Sequence, residues 1–142
     1  MITNTIKYIQ WMSPEDMHVA TIEWESELQF IEDEHYFFEE LMLLFTLQLL
    51  KNEDFSVSRD LAELLSNLKK ENSELKKEVI KHKNKLEILV DGVDEFEKEK
   101  EYKIHHKELA FQLKEHFKNH KNYKKQLFKT VKPFLDKKSL NP

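Results

Sequence analysis

The sequence predicts an all-α protein, an antiparallel bundle of three long helices with heptad packing. Turn chemistry is scarce: 142 residues include one glycine and three prolines, too few for the tight turns of a β-sandwich or a wound sheet. Apolar residues recur in unbroken steps of four and three over some thirty residues at a time. Charge is divided by segment, with twelve acids and two lysines in residues 1–56 against four acids and eleven lysines in residues 101–142. An acidic rod can therefore lie beside a basic one. Aromatic residues make up 11% of the chain, too much apolar bulk for a disordered, solvating segment. The length suits one domain, 1–142.

Residues 1–12 carry Ile2, Ile6, Tyr8, Ile9, Trp11 and Met12 without a period and read as an arm packed on the end of the bundle. Ser13-Pro14-Glu15-Asp16 reads as a helix start. Ser13 is the N-cap, Pro14 takes the first helical position, and the two acids face the positive end of the helix dipole. The first helix then runs over about 14–51. Its stripe is Met17, Thr21, Trp24, Leu28, Ile31, His35, Phe38, Met42, Phe45 and Leu49, and Asn52-Glu53-Asp54 forms the break.

Ser56 or Ser58 can cap a second helix over about 58–90, with Leu61, Leu65, Leu68, Asn72, Leu75, Val79, His82, Leu86 and Leu89 as its stripe. In heptad terms leucines take d and Asn72 takes a, so residues 61–87 resemble a leucine-zipper segment with its register-setting buried Asn. The basic stretch that precedes a DNA-binding zipper is absent. Gly92 ends this helix, and Asp94 with Glu97 makes a capping-box-like start for a third over about 95–135. The third stripe is His106, Ala110, Leu113, Phe117, His120, Lys124, Leu127, Val131 and Phe134. Pro133 predicts a kink or a stop near Lys132, followed by a polar tail, 136–142.

Short connections make successive helices antiparallel. Residue i of the first helix then lies level with about 108 − i of the second, and residue j of the second with about 186 − j of the third. The end holding Leu41 to Leu50, Leu61, Leu64, Leu127, Phe128 and Phe134 is apolar nearly all round, more than three helices can bury on one axis.

Four histidines fall on the stripes: His35, His82, His106 and His120. Two clusters follow. The level rule brings Glu25, His82, Glu101 and His106 together, with His105 nearby. Imidazole with carboxylate in a bundle core suits Fe, Mn or Zn, and the alternative is a hydrogen-bonded polar layer sensitive to pH. The second cluster is Glu32, His35 and Glu39 on one helix face. Glu32-Asp33-Glu34-His35 contains the Glu-x-x-His element of ferritin-like carboxylate bundles, and His35 to Glu39 resembles the His-x-x-x-Glu of hemerythrin-like proteins. His116 to His120 has the His-x-x-x-His spacing of the latter. Such resemblance implies a metal-binding bundle, but the closing hemerythrin element is missing from the sequence.

Lys118, Lys121, Lys124, Lys125, Lys129 and Lys132, interleaved with Phe117, Tyr123 and Phe128, offer a nucleic-acid reading. Against it stand a net charge of −4 and a single arginine. No glycine-rich phosphate loop, nucleophile elbow or cysteine is present, so the chain is expected to be no enzyme and to need no cofactor. There is neither a signal-peptide pattern nor an apolar run of bilayer length. The lysine-rich composition fits a bacterial cytoplasmic protein. The function expected is an interaction or scaffold module, a homodimer joined through Leu43, Leu44, Leu47, Phe128 and Phe134. The alternative is a metal-binding bundle on His82, His106, Glu101 and Glu25.

Overall fold

The computed structural model describes residues 12–51, 55–91 and 96–140. They form three helices, α1 (Pro14–Lys51), α2 (Phe55–Asp91) and α3 (Phe96–Leu140), packed against one another as a three-helix bundle. All of the expected arm 1–12 except Met12, the break at 52–54, and the caps expected from Gly92 and Asp94 lie outside the described residues. Among the described residues no helix is long and apolar enough to cross a membrane.

The start of α1 is the one the sequence predicts. Ser13 Oγ accepts from the Asp16 backbone N–H at 3.1 Å, and Asp16 Oδ2 accepts in return from the Ser13 N–H at 3.3 Å. Two donors without helical partners are thereby satisfied reciprocally. The first turn closes through Met17 N–H to the Ser13 carbonyl, 3.0 Å.

Two helix boundaries differ from expectation. α2 begins at Phe55, so Ser56 and Ser58 lie inside its first turn instead of capping it. Val57 packs on the apolar cluster of that end, and burying it holds the extra turn. α3 continues through Pro133 to Leu140 rather than stopping near Lys132. Pro133 is exposed, so the carbonyl it cannot bond, four residues back at Lys129, faces solvent on the outer side of the helix. The turn beyond is anchored by Phe134, whose ring stacks on Phe45 at 6.2 Å.

The core has two apolar blocks. One, at the end where α1 finishes, gathers Phe38, Phe45, Leu61, Leu65, Leu127 and Val131 with their neighbours. The other gathers Leu28, Leu75, Val79 and Leu113, flanked by Trp24 and Phe117. Between and beyond them lie polar layers built on histidine.

The antiparallel level rule is visible in the ion pairs that flank the α1·α2 seam. Lys83 Nζ donates to Glu25 Oε2 at 2.6 Å, Lys76 Nζ to Glu32 Oε2 at 3.0 Å, and Lys69 to Glu39. The two residue numbers of every pair add to 108. These are e positions on both helices, one heptad apart, where antiparallel coiled coils place their complementary charges. Between α2 and α3, His82 meets His106 and Asn72 meets His116, each pair adding to 188. α1 packs most extensively on α2 and least on α3.

Removing the N-cap should be felt locally. We expect Ser13→Ala to cost about 1 kcal/mol, read in thermal unfolding as a drop of about 2–4 °C for a chain of this size. An unchanged melting temperature would mean that the cap contributes nothing.

Candidate functional site

Five histidines are buried: His35, His82, His106, His116 and His120. The first three and His120 are those the stripes place inside. His116 is not on the expected stripe, and neither is Tyr123, also buried. Both sit where Phe117 and Lys124 were expected, and those two are half-buried. The core seam of α3 is Leu109, Leu113, His116, His120, Tyr123 and Leu127. That series also alternates four and three, so the signal is present in the sequence.

The central layer is held by Asn72. Its Nδ2 donates to the Leu28 carbonyl of α1 at 3.0 Å, and its Oδ1 accepts from His116 Nε2 of α3 at 2.8 Å. With Nε2 donating, His116 Nδ1 is a lone pair directed towards the Glu71 carboxylate 3.6 Å away, with no hydrogen-bond partner. Burial pushes the His116 pKa down, and Glu71 offsets part of that shift.

One layer further along, His35 Nε2 and His120 Nδ1 are 3.1 Å apart, and His120 Nε2 lies 3.0 Å from Glu34 Oε1. Lys124 Nζ donates to the other Glu34 oxygen. A carboxylate can only accept, so His120 carries its proton on Nε2 and presents Nδ1 as acceptor to the Nε2–H of His35. A directional chain results: His35 to His120 to Glu34, with Lys124 closing it. Burial would raise the Glu34 pKa, but bonds from Lys124 and His120 outweigh it and hold the carboxyl below its ordinary value. His35 is pushed down to about 4 by burial and by the neighbouring His120.

The third layer is less well satisfied. His82 Nε2 and His106 Nδ1 are 2.9 Å apart. Trp24 stacks on the His106 ring at 4.4 Å, and His105 meets His82 edge-on at 5.0 Å. The outward nitrogens, His82 Nδ1 and His106 Nε2, are buried without a hydrogen-bond partner. Whichever ring donates, one outward nitrogen is an unmet donor and the other an unmet acceptor. Burial lowers the His82 pKa to about 3, with His106 adding to the effect, and lowers His106 to about 4.

Of the four residues expected as metal ligands, the structure joins His82 and His106, and directs their facing nitrogens at each other rather than at a common centre. Glu25 is taken by Lys83, and Glu101 is exposed. In the second cluster Glu32 is bound by Lys76 and Glu39 by Lys69, while His35 finds His120. Among the described residues no group of three or more His, Cys, Asp or Glu is placed to hold a metal ion. Comparison with known proteins finds no matching family, no similar curated protein and no similar solved structure. Function must be read from the geometry alone.

The remaining feature is the outer surface. Leu43 is 76% exposed and Leu44 56%, and Phe128 is exposed as well. Phe134 is half-buried against Phe45, and the Leu47 side chain lies outside the described residues. Further back along α1, Val19, Ile22, Phe30, Tyr36 and Phe37 are also exposed, Phe30 to 63%. α1 therefore carries large apolar side chains on its outer surface as well as its inner face, interspersed outside with exposed Glu23, Gln29, Asp33 and Glu40.

Two outcomes follow from the histidine layers. His82→Leu or His106→Leu alone should destabilise, because the surviving imidazole loses its one partner, at a cost of about 1–3 kcal/mol. The double variant should be at least as stable as wild type in urea unfolding, since a matched apolar pair leaves nothing unmet. A double variant less stable than wild type would overturn this and show the pair to be net stabilising.

Stability should also depend on acid. His35, His82 and His106 have folded pKa values of about 4, 3 and 4, below the roughly 6.5 of the unfolded chain. The unfolded state therefore binds protons first as pH falls through 6.5. Stability is full above that value and declines towards pH 4, by about 1.4 kcal/mol per histidine per pH unit at the steepest. Thermal unfolding should be flat from pH 7 to 8 and fall steeply between pH 6 and 4. A flat profile down to pH 4.5 would contradict the buried neutral state of these rings.

Proposed function

We propose that this chain is a non-catalytic helical interaction module that works as a self-associated assembly. The observation that supports this is the outward apolar face of α1, most exposed at Leu43 and Leu44. Scattered surface leucines are ordinary, but a contiguous stripe along one helix marks a contact site. The end of the bundle that carries Leu43 and Leu44 also exposes Phe128 and Leu135, which extends the uncovered surface across to α3.

No activity is proposed, since the buried imidazoles and the buried amide each bond to a neighbouring helix. The acids flanking the α1·α2 seam are bound to lysines, and the rings that could act as bases are buried among other helices.

Sedimentation velocity of the untagged protein from 5 to 500 µM tests the reading. We expect a dimer at the upper concentrations and a reversible shift towards monomer on dilution. Leu43→Glu with Leu44→Glu should weaken association at least tenfold and leave the melting temperature of the isolated chain unchanged, because both side chains are exposed. A monomer across the whole range would overturn the proposal.

A further inference from the structure

The proposed assembly can be assigned a surface and a symmetry. This inference rests on self-association, and goes further by naming which faces meet. Along the flank of α1 that looks towards α3 stand Glu23, Glu27, Phe30, Phe37 and Leu44, all exposed. They lie on the side of α1 marked by Glu34, which reaches His120 and Lys124 of α3. On the facing flank of α3 stand Lys107, Lys114, Lys121, Phe128 and Leu135. Phe128 lies edge-on to Phe38 of α1 at 6.0 Å, which fixes that side of α3 as the one towards α1.

The two flanks are complementary. α1 presents acids at its early part and apolar side chains at its late part. α3 presents lysines and then apolar side chains, in the same order along the bundle. Contacts across the α1/α3 junction join residues whose numbers differ by 82 at Trp24–His106, 85 at His35–His120 and 89 at Phe45–Phe134. By that offset Glu23 lies level with about residue 105, beside Lys107; Glu27 with about 110, between Lys107 and Lys114; Phe37 with about 123, between Lys121 and Phe128; and Leu44 with about 133, beside Leu135. Yet no ion pair joins Glu23 or Glu27 to Lys107 or Lys114 within the chain, among the described residues. This is the junction where the helices pack least, so both flanks remain open.

We propose that a second copy of this chain occupies the α1/α3 face, with α1 of each copy lying along α3 of the other about a two-fold axis parallel to the helices. The symmetry follows from the charges. Like flanks laid together would put acid on acid or lysine on lysine, whereas α1 on α3 matches acid to lysine at one end and apolar to apolar at the other. Because α1 and α3 are parallel neighbours, one two-fold makes both contacts at once and the assembly closes. Exposed ion pairs add little affinity, so the apolar end supplies binding and the charged end supplies orientation.

Charge reversal tests this directly, on exposed or half-exposed positions that leave the core untouched. One variant carries Glu23→Lys and Glu27→Lys, the other Lys107→Glu and Lys114→Glu. In sedimentation at low salt we expect each alone to dimerise at least tenfold more weakly than wild type, since both contacts become like-charged. An equimolar mixture should recover an affinity within threefold of wild type as a heterodimer, because both of its contacts are again matched. A second measurement uses the absence of native cysteine. Leu44→Cys mixed with Leu135→Cys should give intermolecular disulfide between the two variants, and little from either alone. A wild-type dimer whose two reversed variants dimerise normally, or whose disulfide forms mainly from Leu44→Cys alone, would overturn this face while leaving self-association standing. A wild type that stays monomeric at 500 µM would overturn both.

Discussion

The amide of Asn72 is the point at which all three helices are tied to one register. Its two ends are used differently: the NH2 goes to a backbone carbonyl of α1 and the oxygen to an imidazole of α3. An apolar seam of leucines tolerates sliding by a heptad, since one leucine replaces another at little cost. A buried amide does not, because any slip leaves a donor and an acceptor unmet, each at about 1–3 kcal/mol. The three Lys–Glu pairs along α1·α2 repeat at heptad spacing, so a slip of seven would break only one of them. Asn72 is what distinguishes the native register from that neighbour, the role best attested for a buried polar residue in coiled coils.

The histidine layers extend the same logic across the second junction, where α3 has few salt bridges to offer. A neutral imidazole can donate at one nitrogen and accept at the other, so it can relay a bond between two helices within a thin layer. Where the relay ends on a carboxylate, as at Glu34, both nitrogens of His120 and both oxygens of Glu34 have partners. Where it ends in the core, as at His82 and His106, two nitrogens are left over. These layers therefore exchange stability for specificity to different degrees, and both hold only while the rings stay neutral.

Much of this was legible in the sequence. The heptad stripes of α1 and α2 lead directly to Thr21, His35, Asn72 and His82 in the core, and the level rule places Glu25, Glu32 and Glu39 opposite Lys83, Lys76 and Lys69. That same rule carries the reason the expected metal cluster is not assembled: Glu25 has a cation at its own level. α3 was harder to read because two four-three series share Leu113, His120 and Leu127 and differ by one residue between them. A helix lying in the groove of two others buries a wide arc, so Phe117 and Lys124 are half-covered while His116 and Tyr123 take the centre. Stripe counting alone cannot separate neighbours on such an arc. The reversal at Pro133 has a similar origin, since the cost of an interior proline depends on which side of the helix its lost carbonyl faces, and that is set by packing.

The outer faces of α1 and α3 follow from one constraint on a three-helix bundle. Each helix can turn only one arc inward, and in α2 the remaining surface is largely polar, while in α1 it keeps phenylalanine and leucine. An apolar outer stripe alone would bind indiscriminately. Segregating acids onto α1 and lysines onto α3 adds a rule about which stripe can meet which, because α1 against α1 and α3 against α3 are both penalised. A contact between two unlike faces ordinarily propagates into open chains. In the proposed dimer the unlike faces are adjacent and parallel on the same bundle, so a single two-fold would satisfy both and leave nothing to propagate. In that proposal the charge separation between α1 and α3, which the monomer uses only at Glu34, limits how copies of it can join.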